Sequence, residues 1–292
     1  MKQLKLLDHV PDNDVKPFRR QLLKWSGNKQ RIAHEIVSHF PEKGGKYFEP
    51  FLGSGAVLAT YAPEKGVGSD NFRPLMEIWQ TLKKSPRTLM KWYTERWEKM
   101  KSGEKAEVYE EIKAHYNRSP NGGDLLFLSH SCSEGALRFR ADGSLSTLSS
   151  LHDPISPEAF AKRVVLWSER VKGCDFLLLD FEDAMSLAKA GDVIYCDPPG
   201  TGGLGLLPGA GDFRLQDLFR VIEKCKAKGT HVLLSFDGTK KSGNFIGDTE
   251  IPPGLFKREV SVNSDSSRSG IPRTKGKTSE AGMGKNRLLL TY

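Results

Sequence analysis

The short apolar run V-I-Y-C at residues 193–196 is the feature that most constrains how this chain folds. Such a run is typical of a strand buried in the middle of a parallel sheet, and it is followed at once by Asp197, Pro198, Pro199 and Gly200. Ligands of open α/β sheets bind at the carboxyl ends of the strands, so Asp197 occupies a position where a ligand is expected. The prolines lack an N–H and fix φ, which leaves a stiff arch of acceptors suited to a substrate amino group. On its own, an ordinary strand followed by a proline turn explains these residues about equally well.

The chain has 292 residues, enough for one large α/β domain or a domain with an insertion. Its net charge of +8 favours a polyanionic partner. The four cysteines, Cys132, Cys174, Cys196 and Cys225, form no C-x-x-C pair and no metal-ligand spacing, so we expect reduced thiols, no metal and a cytoplasmic location. We also expect a soluble protein with no signal peptide or membrane span, because no apolar run is long enough for either.

A second candidate ligand-binding segment extends from Gly45 to Ala62 and is predicted to form an aromatic strand, a glycine turn and an apolar helix. Gly53 and Gly55 allow the backbone to come close to a ligand at the carboxyl end of the strand. Leu58 stands where the third glycine of the dinucleotide fingerprint would be, which disfavours a nicotinamide dinucleotide. A smaller ligand that contains adenosine remains open.

The next predicted strand, G-V-G-S-D, ends at Asp70. An acid at the end of this strand can accept hydrogen bonds from both hydroxyls of a ribose. The alternative is that Asp70 is the N-cap of a helix from Arg73 to Lys84, a role that Asn71 can fill equally well.

Upstream of these segments, the cap-type sequence S-G-N precedes apolar residues at helical spacing from Ile32 to Phe40, and this pattern predicts a helix that begins near Lys29. Lys24, Trp25 and Lys29 would then lie at its amino end, where free N–H groups and two ammonium groups can hold an anion. An ordinary capped surface helix with a half-buried tryptophan is the alternative.

Between about Pro74 and Lys172 the pattern is helical, charged and aromatic, without a convincing buried strand, which indicates a helical insertion. Between its helices we place the segment from Leu125 to Ser150, where A-D-G-S predicts a hairpin or turn beside Arg138 and Arg140. Arginines on a protruding turn suit contacts to a DNA groove or to phosphates. A solvated loop is the alternative.

The sheet is predicted to resume with a strand that runs into Asp180 and Phe181. A glycine-rich loop from Thr201 to Gly211 follows the organising strand, and after it come a helix at residues 214–228 and a strand at residues 231–238. A polar stretch rich in Ser, Gly, Lys and Arg precedes a closing strand at residues 287–292, and its composition predicts a mobile basic loop over an acidic partner.

Four motifs together resemble the Dam-like class of adenine-specific DNA methyltransferases: K-W-S-G-N-K at 24–29, F-E-P-F-L-G-S-G at 48–55, G-S-D at 68–70 and D-P-P at 197–199. They occur in the order that this class uses, and F-L-S-H-S-C-S-E-G-A-L-R-F-R resembles its recognition-domain signature. The resemblance extends from about Pro17 to Tyr292. It implies an α/β fold with a doubly wound, mostly parallel, Rossmann-like methyltransferase sheet, made by residues 1–73 and 173–292. Residues 74–172 would form a helical target-recognition domain.

The resemblance also implies S-adenosylmethionine as the cofactor and double-stranded DNA as the partner. The implied cofactor-binding residues are Trp25, Lys29, Glu49, Phe51, Gly53, Gly55, Asp70, Asp180, Phe181 and Asp197. Trp25 and Lys29 would contact the methionine end of the cofactor, Asp70 its ribose, and Asp180 and Phe181 its adenine ring. The implied DNA-binding residues are Arg138, Arg140, Arg268, Arg273, Lys275 and Lys277.

The implied catalytic segment is Asp197, Pro198, Pro199 and Gly200. The Asp197 carboxylate and the Pro198 carbonyl would hold the exocyclic amine of the target adenine, whose lone pair is otherwise delocalised into the ring. Direct in-line transfer without a covalent intermediate or a metal follows. The target base has to leave the duplex, which costs a few kcal/mol. A role in restriction and modification implies the interior of a bacterial or phage-infected cell, with a cognate restriction endonuclease acting on the same site.

This sequence departs from the family at Gly200, because the motif of the family ordinarily ends in an aromatic residue that stacks on the extruded base. Stacking of this kind is worth roughly 1 to 3 kcal/mol per base, so its loss predicts a transfer rate about 5- to 150-fold lower. The alternative function is therefore a catalytically impaired relative that binds DNA and the cofactor. A third possibility is transfer to another planar amine or amide, in RNA or in a protein glutamine.

Overall fold

The computed structural model describes residues 15–132, 137–140, 142–146, 151–199, 213–238, 245–246, 249–262 and 285–292. The helices of this part of the chain are α1 (Ala33–Ser38), α2 (Ala56–Tyr61), α3 (Arg73–Lys84), α4 (Pro86–Ser102), α5 (Lys105–Arg118), α6 (Gly122–Ser131), α7 (Pro157–Arg170), α8 (Phe181–Ser186) and α9 (Leu215–Ala227). The strands are β1 (Tyr47–Glu49), β2 (Gly66–Asp70), β3 (Cys174–Leu178), β4 (Val193–Cys196), β5 (His231–Gly238), β6 (Phe245–Ile246), β7 (Thr249–Glu250), β8 (Arg258–Val262) and β9 (Lys285–Leu290).

Seven of the strands form one mostly parallel sheet in the order β3-β2-β1-β4-β5-β9-β8. The first five strands of this order are parallel to one another, and β9 is antiparallel to both β5 and β8. The chain builds outward from β1 to β3 on one side and continues from β4 to β5 on the other. The fold is therefore a doubly wound α/β fold, as predicted, with a topological switch point between β1 and β4.

The central strands are buried on both faces, which explains why they are apolar without interruption. Consecutive residues of a strand point to opposite faces, and the two buried clusters follow this alternation. Tyr47 and Tyr195 belong to the larger cluster, whereas Phe48, Ile194 and Cys196 belong to the smaller one. The V-I-Y-C run thus contributes side chains to the core on each side of the sheet.

The helices between β2 and β3 pack on one another and on the sheet. The helix α3 contacts α6, α4 and α7 as well as β2 and β3. The ring of Trp79 on α3 lies 5.3 Å from that of Trp167 on α7 and 5.6 Å from that of Phe176 on β3, measured between centroids. One buried cluster therefore extends from the sheet into the helical segment, and the proposed domain boundaries at residues 74 and 172 remain a prediction.

The prediction of a helix that begins near Lys29 is wrong, because α1 begins at Ala33. Residues 30–32 form a turn, in which the N–H of Ile32 donates to the carbonyl of Lys29. The Asn28 side chain accepts the N–H of Gln30 at 2.6 Å and thereby caps this turn rather than a helix. Lys29 consequently precedes the helix and is not part of it.

Two further differences concern the start of a predicted loop segment and a strand near the end of the chain. The segment from Leu125 to Ser150 does not lie wholly between helices, because its first residues belong to α6. A complete strand, β8, was not predicted at all. It carries Glu259, whose carboxylate forms a buried bidentate pair with Arg287 of β9, at 2.6 Å to Nε and 3.0 Å to Nη2.

Candidate active site

The switch point brings two carboxylates to the same edge of the sheet. Glu49 is the last residue of β1, and Asp197 directly follows β4, its neighbour in the sheet. The Nζ atom of Lys29 lies 3.1 Å from Oδ1 of Asp197. The turn before α1 therefore supplies a cation to the edge of the sheet where ligands of this architecture bind.

Glu49 is a buried acid with a strongly perturbed pKa. Burial removes water from its carboxyl group and raises the pKa to about 8. The hydroxyl of Tyr47 donates to its Oε2 at 2.6 Å and partly opposes this rise, whereas the nearby charge of Asp197 adds to it. Glu49 therefore keeps its proton to a much higher pH than an exposed glutamate does.

A glycine turn connects β1 to α2. Gly53 and Gly55 both have positive φ values, +47° and +61°, which L side chains rarely adopt. A Cβ atom at Gly53 would lie 3.2 Å from Cδ1 of Trp25, and one at Gly55 would lie 3.0 Å from Cη2 of Trp79. The indole nitrogen of Trp79 also donates to the carbonyl of Gly53 at 3.1 Å. The turn is thus held between two tryptophans in a conformation that requires glycine.

Asp70 fixes this turn from the end of β2. Its Oδ2 accepts the N–H of Gly53 at 3.2 Å, and its Oδ1 accepts the N–H of Phe72 at 3.1 Å. Burial raises the pKa of Asp70 to about 6, and the backbone donors oppose the rise. The alternative prediction, an N-cap of the following helix, is wrong for both Asp70 and Asn71, because the N-cap residue of α3 is Phe72.

An aromatic surface lies beyond the glycine turn. The rings of Phe51 and Phe181 stack at 5.3 Å between centroids, and Phe213 lies edge-on to both at 5.7 Å. Asp180 is the N-cap of α8, and its Oδ1 accepts the N–H of Glu182 at 2.8 Å. The strand β3 ends at Leu178, so the predicted pair Asp180 and Phe181 begins a helix instead of ending the strand.

The predicted hairpin is present in the helical segment. Phe139 pairs with Leu145 in an antiparallel bridge, and both side chains are buried. Arg138 and Arg140, which flank Phe139, are exposed. The side-chain amide of Asn117 on α5 both donates to the carbonyl of Leu145 at 3.1 Å and accepts its N–H at 2.8 Å.

Several site residues were missed by sequence reasoning. Tyr47 could have been found, because it lies two residues before Glu49 and so on the same face of the strand. Asn28 lies in the quoted K-W-S-G-N-K motif, and its buried Nδ2 has no hydrogen-bond partner among the described residues. The positions of Phe72, Phe139 and Phe213 depend on the tertiary fold, and no local signal indicates them.

The structure describes only some of the residues that the sequence predicts for the site. Trp25, Lys29, the glycine turn, Asp70 and Asp197 surround one edge of the sheet, with Pro198 buried and Pro199 half-buried beside them. Gly200, the loop 201–211 and the predicted DNA-binding residues Arg268, Arg273, Lys275 and Lys277 lie outside the described residues.

The residues that the structure describes also bear on metals and membranes. No group of three or more His, Cys, Asp or Glu side chains is placed there so that it could hold a metal ion. None of the helices in the same ranges has both the length and the apolar character that crossing a membrane requires.

Comparison with known proteins gives a consistent result. A protein of Escherichia phage P1, the DNA N-6-adenine-methyltransferase, is 26% identical over 87% of this chain and 35% of its own length. The Retron Ec67 DNA adenine methylase of Escherichia coli is 27% identical over 61% of this chain and 62% of its own length. The type II methyltransferase M.MjaIII of Methanocaldococcus jannaschii is 28% identical over 64% and 69%, respectively.

The chain thus spans about a third of the phage protein and about two thirds of the other two relatives. The family described as D12 class N6 adenine-specific DNA methyltransferase matches residues 25–251. This range includes the K-W-S-G-N-K turn from Trp25 onward, the glycine turn, the hairpin and the D-P-P segment, and it covers most of the chain. The protein belongs to the D12 class of N6 adenine-specific DNA methyltransferases.

Proposed function

We propose that this protein transfers the methyl group of S-adenosylmethionine to the exocyclic amine of an adenine in double-stranded DNA, after the base has left the duplex. The observation that carries the proposal is the position of Asp197 at the switch point, 3.1 Å from the ammonium group of Lys29, in a chain of this family. An acceptor at this edge of the sheet, charged and partly buried, is suited to an NH₂ group.

The residues around the glycine turn fit the cofactor. The left-handed conformation at Gly53 and Gly55 leaves no Cβ between the backbone and a ligand. Both oxygens of Asp70 accept backbone N–H groups, which holds its carboxylate beside the glycine turn, where it can also accept from the hydroxyls of a ribose. The stacked rings of Phe51 and Phe181 offer an apolar face to an adenine ring.

The methionine end of the cofactor carries one ammonium and one carboxylate group, and the site contains partners for each. Lys29 supplies a positive charge, and Asn28 supplies a buried amide donor. Glu49 supplies a carboxyl group that can accept from an ammonium once its own proton has left. When bound, S-adenosylmethionine supplies an electrophilic methyl carbon on a positively charged sulfur.

The protein acts on the amine through Asp197 and Pro198. Their oxygens accept the two amine hydrogens, which draws the lone pair out of the ring system and points it away from the strand end. The fixed φ values of Pro198 and Pro199 hold both acceptors in place without a competing N–H donor. Because these groups need no rearrangement, they stabilise developing charge at little cost in reorganisation.

Lys29 is a positioning residue for Asp197 in this proposal. Two carboxyl groups at neighbouring strand ends repel each other when both are charged. The ammonium group of Lys29 compensates the charge of Asp197, and the ammonium group of the bound cofactor would compensate the charge of Glu49. The pair of acids therefore presents one carboxylate to the amine.

The proposal assigns recognition of DNA to residues 74–172. Arg138 and Arg140 point outward from a hairpin that Asn117 fixes to α5, which suits contacts to bases or phosphates. The net charge of +8 favours the duplex and predicts binding that weakens with salt. A restriction endonuclease that cuts the same site is the proposed biological partner.

Incubation with S-adenosylmethionine labelled in its methyl group and with mixed-sequence duplex DNA tests the function. Label is expected in N6-methyladenine, at one short sequence that a methylation map identifies. Asp197→Asn should abolish most of the transfer, and Asp183→Asn, which changes an exposed acid on α8, should have no effect. Normal cofactor binding without label in adenine at any site would reject the proposal. Unlabelled duplex DNA should compete for the label; if RNA or a protein glutamine competes instead, the acceptor is not DNA.

A second candidate function is binding of DNA and cofactor with impaired catalysis. The observation in its favour is Gly200, which stands where the family motif ordinarily has a stacking aromatic. Under this proposal Gly200→Tyr raises methyl transfer about 5- to 150-fold, the range expected for a stacking contribution of about 1 to 3 kcal/mol. An unchanged rate in the Gly200→Tyr variant would show that the missing aromatic does not limit the reaction.

A further inference from the structure

Three aromatic rings connect the hairpin to the glycine turn of the candidate cofactor site. The centroid of Phe139 lies 5.6 Å from that of Phe72, in edge-on geometry, and 6.4 Å from that of Trp25. The rings of Trp25 and Phe72 are 6.2 Å apart. Each ring therefore contacts the other two, although Trp25 comes from the segment before α1, Phe72 from the N-cap of α3 and Phe139 from the hairpin. We call this group the Trp25–Phe72–Phe139 cluster.

Two members of the cluster are tied directly to the candidate cofactor site. The indole of Trp25 covers Gly53, because a Cβ atom there would lie 3.2 Å from its Cδ1. Asp70 bonds to the N–H of Phe72 through one oxygen and to the N–H of Gly53 through the other. A displacement of Trp25 or Phe72 thus changes the surroundings of both the glycine turn and the proposed ribose acceptor.

The third member is tied to the proposed DNA-binding surface. Phe139 is buried between Arg138 and Arg140, which are exposed on the opposite face of the same short strand. The backbone of Arg138 accepts the N–H of Ser146, and the N–H of Arg140 donates to the carbonyl of Ser144, so the strand is paired on both sides of Phe139. A paired strand moves as a unit, and a shift of its arginines displaces Phe139.

We propose that Phe139 is a positioning residue that couples binding of DNA at the hairpin to binding of the cofactor. This inference rests on the proposed function, since it requires that the two ligands bind at the two ends of the cluster. Contacts of Arg138 and Arg140 with a duplex fix the hairpin, Phe139 fixes Trp25, and Trp25 fixes the glycine turn. Coupling of this kind is reciprocal, so DNA and cofactor each raise the affinity for the other by the same factor.

The test measures binding and not turnover. The dissociation constant of S-adenosylhomocysteine, which has no methyl group to transfer, is determined by calorimetry without DNA and with saturating mixed-sequence duplex DNA. Sheared genomic DNA serves as the probe, because it contains many copies of any short recognition site. For the unaltered protein we expect DNA to tighten binding about 5- to 150-fold, the usual range of coupling between sites.

Phe139→Leu should reduce this ratio to near one while the dissociation constant without DNA changes little. Phe139→Tyr retains the ring and should retain the coupling. The matched control is Phe160→Leu, because Phe160 is also buried but stacks on Tyr93 at 4.0 Å, away from the cluster. A residue with a merely structural role would lower stability without changing the ratio of the two dissociation constants.

A second variant keeps the test decisive if Phe139→Leu does not fold. Phe72→Leu breaks the cluster from the catalytic side and should lower the same ratio. If every Leu variant that folds has the same ratio as the unaltered protein, the inference is overturned. DNA binding is followed in parallel by fluorescence anisotropy of a labelled duplex. If DNA and S-adenosylhomocysteine both bind but show no coupling, the inference fails and the proposed function stands. If DNA does not bind at all, both fail.

Discussion

Replacement of Glu49 by glutamine tests the electrostatic description of the site in a quantity that does not depend on catalysis. Burial raises the pKa of Glu49 from 4.5 to about 8 in the folded protein. At about 1.4 kcal/mol per pKa unit, this difference means that ionisation of Glu49 lowers the free energy of unfolding by about 5 kcal/mol. Glutamine matches the shape of the protonated acid, can still accept from the hydroxyl of Tyr47, and has no proton to lose.

The sign follows from which state binds the proton more tightly. The folded state binds the proton of Glu49 more tightly than the unfolded state. The contribution of protonated Glu49 to stability is therefore complete below pH 4.5 and is lost as the pH rises toward 8. In the unaltered protein this loss amounts to about 1.4 kcal/mol per pH unit through most of that interval. The Glu49→Gln variant does not lose this stability as the pH rises, because glutamine does not ionise. Its free energy of unfolding, relative to that of the unaltered protein, should therefore increase by about 3 to 4 kcal/mol between pH 5 and pH 8.

Urea unfolding at pH 5, 6, 7 and 8 measures this difference. Asp70, whose pKa is raised to about 6, also affects the pH dependence, but it is common to both proteins and cancels in the comparison. Glu98→Gln, at an exposed position on α4, is the matched control and should give a difference that is constant with pH. If the Glu49→Gln difference is equally constant, the carboxyl group is already charged at pH 5 in the folded state and the reasoning is refuted.

Two further predictions concern the frame around the site. Gly55→Ala places a Cβ at a φ of +61° and 3.0 Å from the ring of Trp79, so it should lower the free energy of unfolding, measured in urea, by about 2 to 4 kcal/mol. The control is Gly191→Ala, which has a φ of +82° and open space around it. It should lower the free energy of unfolding by about 1 kcal/mol, through backbone strain alone. Equal losses would show that contact with the tryptophan is unimportant. Asn117→Ala removes both hydrogen bonds to Leu145 and should raise the hydrogen-exchange rate of the Leu145 amide about 5- to 30-fold. An unchanged exchange rate would show that the hairpin does not depend on α5.

The sequence predicts the centre of the fold well because the centre has local signals. A fully buried parallel strand has to be apolar throughout, so V-I-Y-C predicts β4, and the acid after it lies at the edge of the sheet where we propose that the ligands bind. The glycine turn and Asp70 follow similar rules, since a left-handed backbone and the end of a strand both restrict the residue type. These signals belong to single elements and do not depend on their neighbours.

The errors come from features that depend on residues far apart in the chain. The apolar spacing after Lys29 is helical, but it does not show that the Asn28 side chain closes a turn and delays the helix to Ala33. The strand β8 is stabilised by pairing with β9. It carries a charged residue, Glu259, whose burial is compensated by the ion pair with Arg287 of β9. Pairings of this kind have no local signature.

The antiparallel pairing of β8 with β9 has a consequence for how relatives can diverge. Val262 and Asn286 are partners in the register, so the chain leaves the sheet and returns to it at adjacent positions. The entropy of closing a connection grows only slowly with its length, and the buried Glu259–Arg287 pair lies on the two strands themselves. Insertions, deletions or whole-segment exchanges between these two positions should therefore leave the catalytic scaffold intact.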